Sequence, residues 1–490
     1  MKFMSVLLVA LYCFSCATAI EKKPNIIIIY TDDQGYGDSS LLNAKSKFKT
    51  PAIDRIGQEG IIFTDGHSSN TVCTPSRYAL LTGRYSWRTY LKKGVISSPG
   101  KPLIDNKRST LATLLKRNGY NTAMVGKWHL GMNFNENGSK ILDGPIQKGF
   151  DYFWGIPASM NFGHCAWYDM DFAKVAPTLW TTKKLNKIAI SDYRIIPPYD
   201  KEKPKKLPIS VAEDFKDIEV LERFTDKAVA WIDKVHKDDK PFFLYLPLTS
   251  PHKPVIPQER FRGKSQAGSY GDFMVETDYW VGQIQKALEE RGIYDNTMII
   301  FSSDNGPENT YPKRWELHKH DSNHMLRGGK RDIYEGGHRV PFLISWPKGF
   351  KGGQKFNQPV SQIDLFATFA DLLGDKLSKD EAEDSFSFAA AFRNEKPSKR
   401  SPMIHQSSSG QYAIREGDWK YILGGTVRKK TLKPELYNLK SDLAEEKNLI
   451  NQHPEIANEL KAKLLKIITS GKTRTECTTK NDAPVPVTWK

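Results

Sequence analysis

The chain is poor in cysteine. Five occur in 490 residues, and two of them, Cys13 and Cys16, fall within the first 19. A disulfide-stapled scaffold needs far more, so stability must come from a hydrophobic core. No Cys/His cluster has the spacing of a zinc site. No apolar run approaches the ~20 residues of a membrane-spanning helix. There is no internal repeat. The formal net charge is +16, but no nucleic-acid motif accompanies it, so nucleic acid is not an expected partner. The basic excess suits another polyanion, or else it is a solvated face serving solubility.

Residues 1–19 have the make-up of a secretory leader. Lys2 supplies the basic start, residues 5–14 a short apolar stretch, and Ala17-Thr18-Ala19 a small-residue cleavage site. Cleavage near Ala19 and export to a periplasm or the medium are expected. Lipid attachment at Cys16 is the alternative, although Cys13 is a poor opening for a lipobox. Export leaves Cys73, Cys165 and Cys477. With Cys73 set apart by its motif, Cys165 and Cys477 either pair or stay as thiols; spacing alone fixes no connectivity.

What remains is too long for one ordinary core. Residues 25–30 (NIIIIY) read as a strand buried on both faces. Helical periodicity at 110–118, 218–237 and 272–291 is followed each time by an apolar segment, at 121–125, 242–248 and 297–302. Short αβ connections of this kind predict an α/β fold, with a large, mostly parallel but mixed central sheet flanked by helices. Another amphipathic helix is expected at 358–374, and the polar stretch 375–400 reads as a linker. Short strands near 403, 411 and 419 and a helix at 454–468 predict a small C-terminal α+β unit with an antiparallel sheet. The expected division is a leader (1–19), a catalytic domain (20–399) and a C-terminal subdomain with an irregular tail (400–490).

Each apolar run ends in polar residues of catalytic type: Asp32 and Asp33, Lys127 and His129, His252, then Asp304 and Asn305. Ligands of open α/β sheets bind beyond the carboxyl ends of the strands, so these groups should converge. Asp32, Asp33, Asp304 and Asn305 offer only oxygen, the choice of hard cations; Ca²⁺ tolerates more ligands than the strictly octahedral Mg²⁺. Cys73-Thr74-Pro75-Ser76-Arg77 places Pro75 in the first turn of a helix, and so puts residue 73 at an anion-favouring N-terminus.

The C-x-P-S-R motif at 73–77, with segments 25–33, 83–84, 126–131, 250–254, 303–306, 329–330 and 334–337, resembles the type I, formylglycine-dependent sulfatases of the alkaline-phosphatase-like superfamily. The likeness is to the arylsulfatase and N-acetylgalactosamine-6-sulfatase branch. It implies oxidation of Cys73 to formylglycine by a formylglycine-generating or anaerobic sulfatase-maturating enzyme. It also implies Ca²⁺ held by Asp32, Asp33, Asp304, Asn305 and residue 73. Arg77 and Lys127 would hold the aldehyde hydrate, the nucleophile that forms a sulfo-enzyme intermediate. Lys127, Lys330, His252 and Ser159 would contact sulfate, though Ser159 also reads as a turn serine. His252 would protonate the leaving alcohol, and His129 would be the base for sulfate elimination. The implied substrate is a sulfated carbohydrate.

Gly126, Gly328 and Gly329 are expected to let backbone approach a ligand. Asn161, His164, Trp167 and the segment 307–326, with Arg314, His318 and His320, are candidates for shaping the pocket. Two other functions are open: a phosphoester hydrolase of the same superfamily, and a non-catalytic binder of sulfated glycans with Cys73 unmodified. The first lacks a visible second set of Asp/His metal ligands.

Overall fold

The computed structural model describes residues 23–160, 164–180, 195–196, 200–201, 209–395, 400–427 and 430–486. Residues 1–19, with Cys13 and Cys16, and Asn161 lie outside the described residues. The main sheet comprises β1 (Asn25–Asp32), β2 (Ile61–Phe63), β3 (Asn121–Lys127), β4 (Tyr152–Ile156), β5 (Tyr168–Asp169), β6 (Phe172–Ala173), β7 (Phe242–Pro251), β8 (Thr297–Ser303), β9 (Phe342–Ser345) and β10 (Gln354–Phe356). Its spatial order is β6-β5-β4-β3-β7-β1-β8-β9-β2-β10. The central strands β4, β3, β7, β1 and β8 run parallel. Antiparallel pairs β5/β4 and β9/β8 then turn the edges. This is the mixed sheet expected.

The isoleucines of β1 explain its central place. Ile26 to Ile29 are 2% exposed or less, as a strand covered on both faces requires. Two groups of helices supply the cover. Helices α1 (Pro51–Gln58), α4 (Val220–Val235) and α5 (Gly268–Glu290) pack together; α2 (Cys73–Thr82), α3 (Leu111–Arg117) and α7 (Leu365–Leu373) form the second group. Helix α3 begins where the Thr110 side chain accepts the Thr113 N–H, at 3.2 Å. Helix α6 (Tyr311–His318) lies in sequence between α5 and α7.

Toward the C-terminus, β11 (Met403–Gln406), β12 (Tyr412–Glu416), β13 (Trp419–Ile422) and β14 (Glu435–Asn438) form an antiparallel sheet. Helix α8 (Pro454–Ser470) packs on it. Among the described residues, no helix is long and apolar enough to cross a membrane.

One sequence expectation needs revision. Segment 375–395 is not an exposed linker: Glu381, Glu383, Asp384, Phe388 and Phe392 are buried. Its carboxylates pair with Arg117, Arg84, Arg108 and Arg88. Composition misled because these partners are distant; Arg88 and Asp384 lie 296 residues apart. The tail 471–486 is irregular, as expected, yet anchored by Arg84 on Asp482 at 2.9 Å. Cys165 and Cys477 are buried free thiols, so the pairing left open is not made. They donate separately, to the carbonyls of Met160 and Glu381.

Candidate active site

Every strand that feeds the site delivers its residue at the carboxyl end. Asp32 ends β1, Lys127 ends β3, His252 follows β7 and Asp304 follows β8. Cys73 is the first residue of α2, after an extended Val72. Asp33 and His129 hold left-handed backbone, at φ 68° and 59°, a strain typical of functional turns.

The side chains converge as the strand ends do. Cys73 Sγ lies 3.3 Å from Asp32 Oδ1. One ligand atom from each of Asp32, Asp33, Cys73 and His252 lies within 4.8 Å of the others. Arg77 donates to Asp304 Oδ2 from Nε and Nη2, at 3.0 and 2.7 Å, and to the Lys127 carbonyl at 3.1 Å. Lys127 Nζ donates to Asp32 Oδ2. Lys330 Nζ donates to Asp33 Oδ2 at 2.7 Å, and Asn305 Nδ2 donates to Asp33 Oδ1 at 2.8 Å. His252 Nδ1 lies 2.5 Å from the Lys253 carbonyl; with its N–H aimed there, Nε2 faces Asp33 Oδ2 at 3.8 Å. All these groups are buried.

The charges are poised rather than neutralised. Burial opposes ionisation of Asp32, but Lys127, His252, Arg77 and Lys330 hold it well below the usual carboxylate range. Burial and the facing Asp32 charge push Asp304 up to about 7 despite its ion pair with Arg77. Burial, then Asp304 and Asp32, drive the Cys73 thiol well above its ordinary value. An unmodified cysteine there is a protonated thiol and a poor nucleophile. Burial and Lys127 keep His129 neutral, and burial and Lys330 lower His252 to about 4.

Asp32, Asp33, Asp304 and Asn305 fit a hard divalent cation. Three carboxylates share one buried space, and Asn305 Oδ1 is a buried acceptor with no hydrogen-bond partner among the described residues. All four donors are oxygen, the set that Ca²⁺ prefers. Ser159 is also buried, and its hydroxyl has no hydrogen-bond partner among the described residues. It stands just after β4, two residues beyond the Pro157 carbonyl that takes the His129 N–H at 2.8 Å.

The structure thus gathers Cys73, Arg77, Lys127, His252, Lys330, Asp32, Asp33, Asp304 and Asn305 into one contact network. His129 joins it through its carbonyl, which accepts from Thr74 Oγ1 at 2.9 Å. Other candidates fall elsewhere. Trp167 packs on Trp154 at 4.8 Å, and His164 sits against Phe134 at 4.8 Å. Arg314 covers the Tyr270 ring and His320 Nε2 lies 2.7 Å from Asp38 Oδ1, both serving the fold. Gly126 is needed for a different reason than expected. A Cβ there would stand 2.1 Å from the Pro247 carbonyl of the neighbouring strand, so the close approach is to backbone. Gly329 likewise makes room for the Tyr311 ring. Glu308, within the segment 307–326 expected to shape the pocket, was not singled out, nor were Lys253 and Arg331, which share it with Lys330; adjacency to His252 and Lys330 was the only signal for the last two.

The family model described as Sulfatase matches residues 24–375, most of the chain and the whole of this network. The chain belongs to the sulfatase family. It is a sulfuric ester hydrolase. A second model, N-sulphoglucosamine sulphohydrolase, C-terminal, matches residues 327–470. Among relatives, N-acetylgalactosamine-6-O-sulfatase of Bacteroides thetaiotaomicron is 32% identical over 481 residues, covering 90% of this chain and 92% of that one. Human arylsulfatase A is 30% identical over 478 residues, with 92% and 89% covered. A solved sulfatase structure, from work on glycosaminoglycan metabolism by Bacteroides thetaiotaomicron, superposes with a TM-score of 0.80 at 32% identity. That match covers 91% of this chain and 99% of the other.

Proposed function

We propose that this sulfatase is exported by its leader and removes sulfate from a sulfated carbohydrate, using formylglycine at position 73 and Ca²⁺. The carbohydrate class is supported by relatives named for N-acetylgalactosamine 6-O-sulfate and by a structural neighbour from glycosaminoglycan metabolism. The observation that carries the chemistry is Cys73 at a helix N-terminus, against Asp32, with its thiol held protonated. A hydrated formylglycine would present its two hydroxyls from the carbon that carries the Cys73 sulfur.

Ca²⁺ held by Asp32, Asp33, Asp304 and Asn305 would supply positive charge against the sulfate oxygens. Maturation of Cys73 would supply two hydroxyls on one carbon, which neither cysteine nor serine can offer. The rest falls to the chain's own side chains. Arg77 fixes the carboxylate of Asp304 and the Lys127 backbone. Lys127 and Lys330 bring two buried cations to a monoanionic ester whose charge grows as the leaving oxygen departs. His252 presents Nε2 for proton delivery to that oxygen; its depressed affinity for a proton is restored by the negative charge of an arriving sulfate. His129, held neutral by burial and the Lys127 charge, would take a proton when sulfate is released.

The test is sulfate release from defined sulfated oligosaccharides by calcium-loaded protein co-expressed with a maturation enzyme. Mass spectrometry of the peptide containing residue 73 accompanies it. Sulfate release that tracks loss of the Cys73 sulfur is expected. Full activity in protein that retains the thiol would sink the formylglycine reading.

A further inference from the structure

At the mouth of the site three cations share one carboxylate. Glu308 accepts from both Nη atoms of Arg331, one at 3.0 Å, and lies 3.9 Å from Lys253 Nζ and 3.8 Å from Lys330 Nζ. Lys330 is buried in the catalytic centre. The side chains of Lys253 and Arg331 are 32% and 40% exposed, while Glu308 between them is 13% exposed. Both cations are tied to the centre through backbone. The Lys253 carbonyl lies 2.5 Å from His252 Nδ1, and the Arg331 N–H donates at 2.9 Å to Thr71, two residues before Cys73. Arg331 also holds φ 83°, where glycine is at ease and an arginine is strained. Strain kept beside a reacting centre points to use of the side chain.

We infer that Arg331 and Lys253, fanned about Glu308, form a subsite for a second anionic oxygen group on the substrate, a uronate carboxylate or another sulfate close to the scissile one. The inference rests on the sulfatase reading above and deepens it. Two solvent-facing cations share a single acid, so the rim carries an unbalanced positive charge beside Lys330. Glu308 takes one N–H from each Nη of Arg331, and the remaining N–H groups of its planar guanidinium match carboxylate and sulfate oxygens, while lysine adds a mobile point charge. Glu308 holds the fork before substrate arrives, which lowers the ordering cost of binding. A neutral sugar gains nothing from the fan.

Three disaccharides with the same scissile sulfate test this: one otherwise uncharged, one with a uronate and one with a second sulfate. The quantity read is kcat/KM for each doubly charged sugar relative to the singly charged one, within one preparation, so that incomplete maturation cancels. The expected preference is about tenfold or more, a difference of 1.4 kcal/mol. Arg331→Gln should lower it about tenfold, and Lys253→Gln about threefold. Arg331→Gly should lose the same preference while keeping the melting temperature, because its backbone suits glycine. Calorimetry with Cys73→Ala protein gives the same ratio as Kd, without turnover. Preference for only one doubly charged sugar assigns the group. Equal kcat/KM for all three, no binding of either doubly charged sugar, or a preference surviving both Arg331 variants overturns the subsite. Calorimetric preference without turnover of any sugar supports the subsite and counts against the catalytic reading alone.

Discussion

The catalytic cluster and a second buried cluster, beside the C-terminal sheet, are built from the same kinds of residue. The second contains His67, His338, His405, Asp65, Glu335, Glu445, Arg415 and Lys420, all buried. All but His405 are joined by hydrogen bonds or ion pairs. Lys420 Nζ lies 3.2 Å from His338 Nε2, His338 Nδ1 lies 3.0 Å from His67 Nδ1, and His67 Nε2 lies 2.7 Å from Asp65 Oδ1. One donor per link satisfies that chain. Arg415 then grips both oxygens of Asp65, and Lys420 bridges Glu335 and Glu445 at 3.0 and 2.8 Å. The His338 and His405 rings are stacked, 3.7 Å apart and 9° from parallel, so their in-plane lone pairs do not meet at one point. Around Cys73, by contrast, oxygen donors converge and Asn305 Oδ1 is left over. Burial, charge and an unsatisfied acceptor are common to both regions, since His405 also lacks a hydrogen-bond partner among the described residues; the all-oxygen set of Asp32, Asp33, Asp304 and Asn305 beside a helix N-terminus separates the site from the clasp.

Substitutions should split the two regions by what they damage. Cys73→Ala is expected to lower kcat on the order of 10⁴-fold or more, with the unfolding transition unchanged. Sulfate release and denaturant unfolding measure the two effects. Substantial activity in that variant would remove the distinction altogether. Calcium removal comes next. Chelation should abolish sulfate release and, in the inactive Cys73→Ala protein as well, lower stability by about 2.7 kcal/mol if calcium had been present at 100 times its Kd. A melting temperature indifferent to chelator and calcium would argue that the oxygen cluster is a clasp too. At the other cluster, Lys420→Met strands two carboxylates in a buried space. It should cost about 3–5 kcal/mol of stability while leaving kcat of the folded fraction unchanged. A drop in kcat there would show the junction acting on the reaction.

Much of the candidate site was legible in sequence because its residues interrupt apolar runs. Four isoleucines cannot lead into Asp32 and Asp33 by accident of patterning, and the same holds where residues 297–302 meet Asp304. The strand period and the carboxyl-end rule then suffice to gather the ligands. The clasp was not legible. His67, His338 and His405 come from distant segments, and nothing local marks them as neighbours. The same limit hid the burial of 381–384, whose acids read as solvated until Arg84, Arg88 and Arg117 folded over them. Glu308 fell within the segment 307–326 expected to shape the pocket but was not picked out from it: a single acid in a polar loop has no pattern, and only three-dimensional proximity to Lys330, Lys253 and Arg331 gives it a role.

The smallest expected effect concerns protons at the clasp. Burial, then His67 and Lys420, hold His405 neutral well below its ordinary value, and neither ring nitrogen has a hydrogen-bond partner among the described residues. In the unfolded chain it titrates near 6.5. Below that pH the unfolded state binds a proton that the folded state refuses, so stability falls as pH drops. Each such histidine contributes a slope of up to ~1.4 kcal/mol per pH unit. His405→Phe keeps an aromatic ring against His338 and removes the proton. The variant's loss of stability between pH 6.5 and 5.5 should be smaller than that of the unsubstituted protein by ~1 kcal/mol, read from denaturant unfolding at each pH. Parallel pH profiles for the two proteins would mean that the His405 position in the clasp is already proton-accessible, and that the contrast with the catalytic centre is weaker than its hydrogen bonds imply.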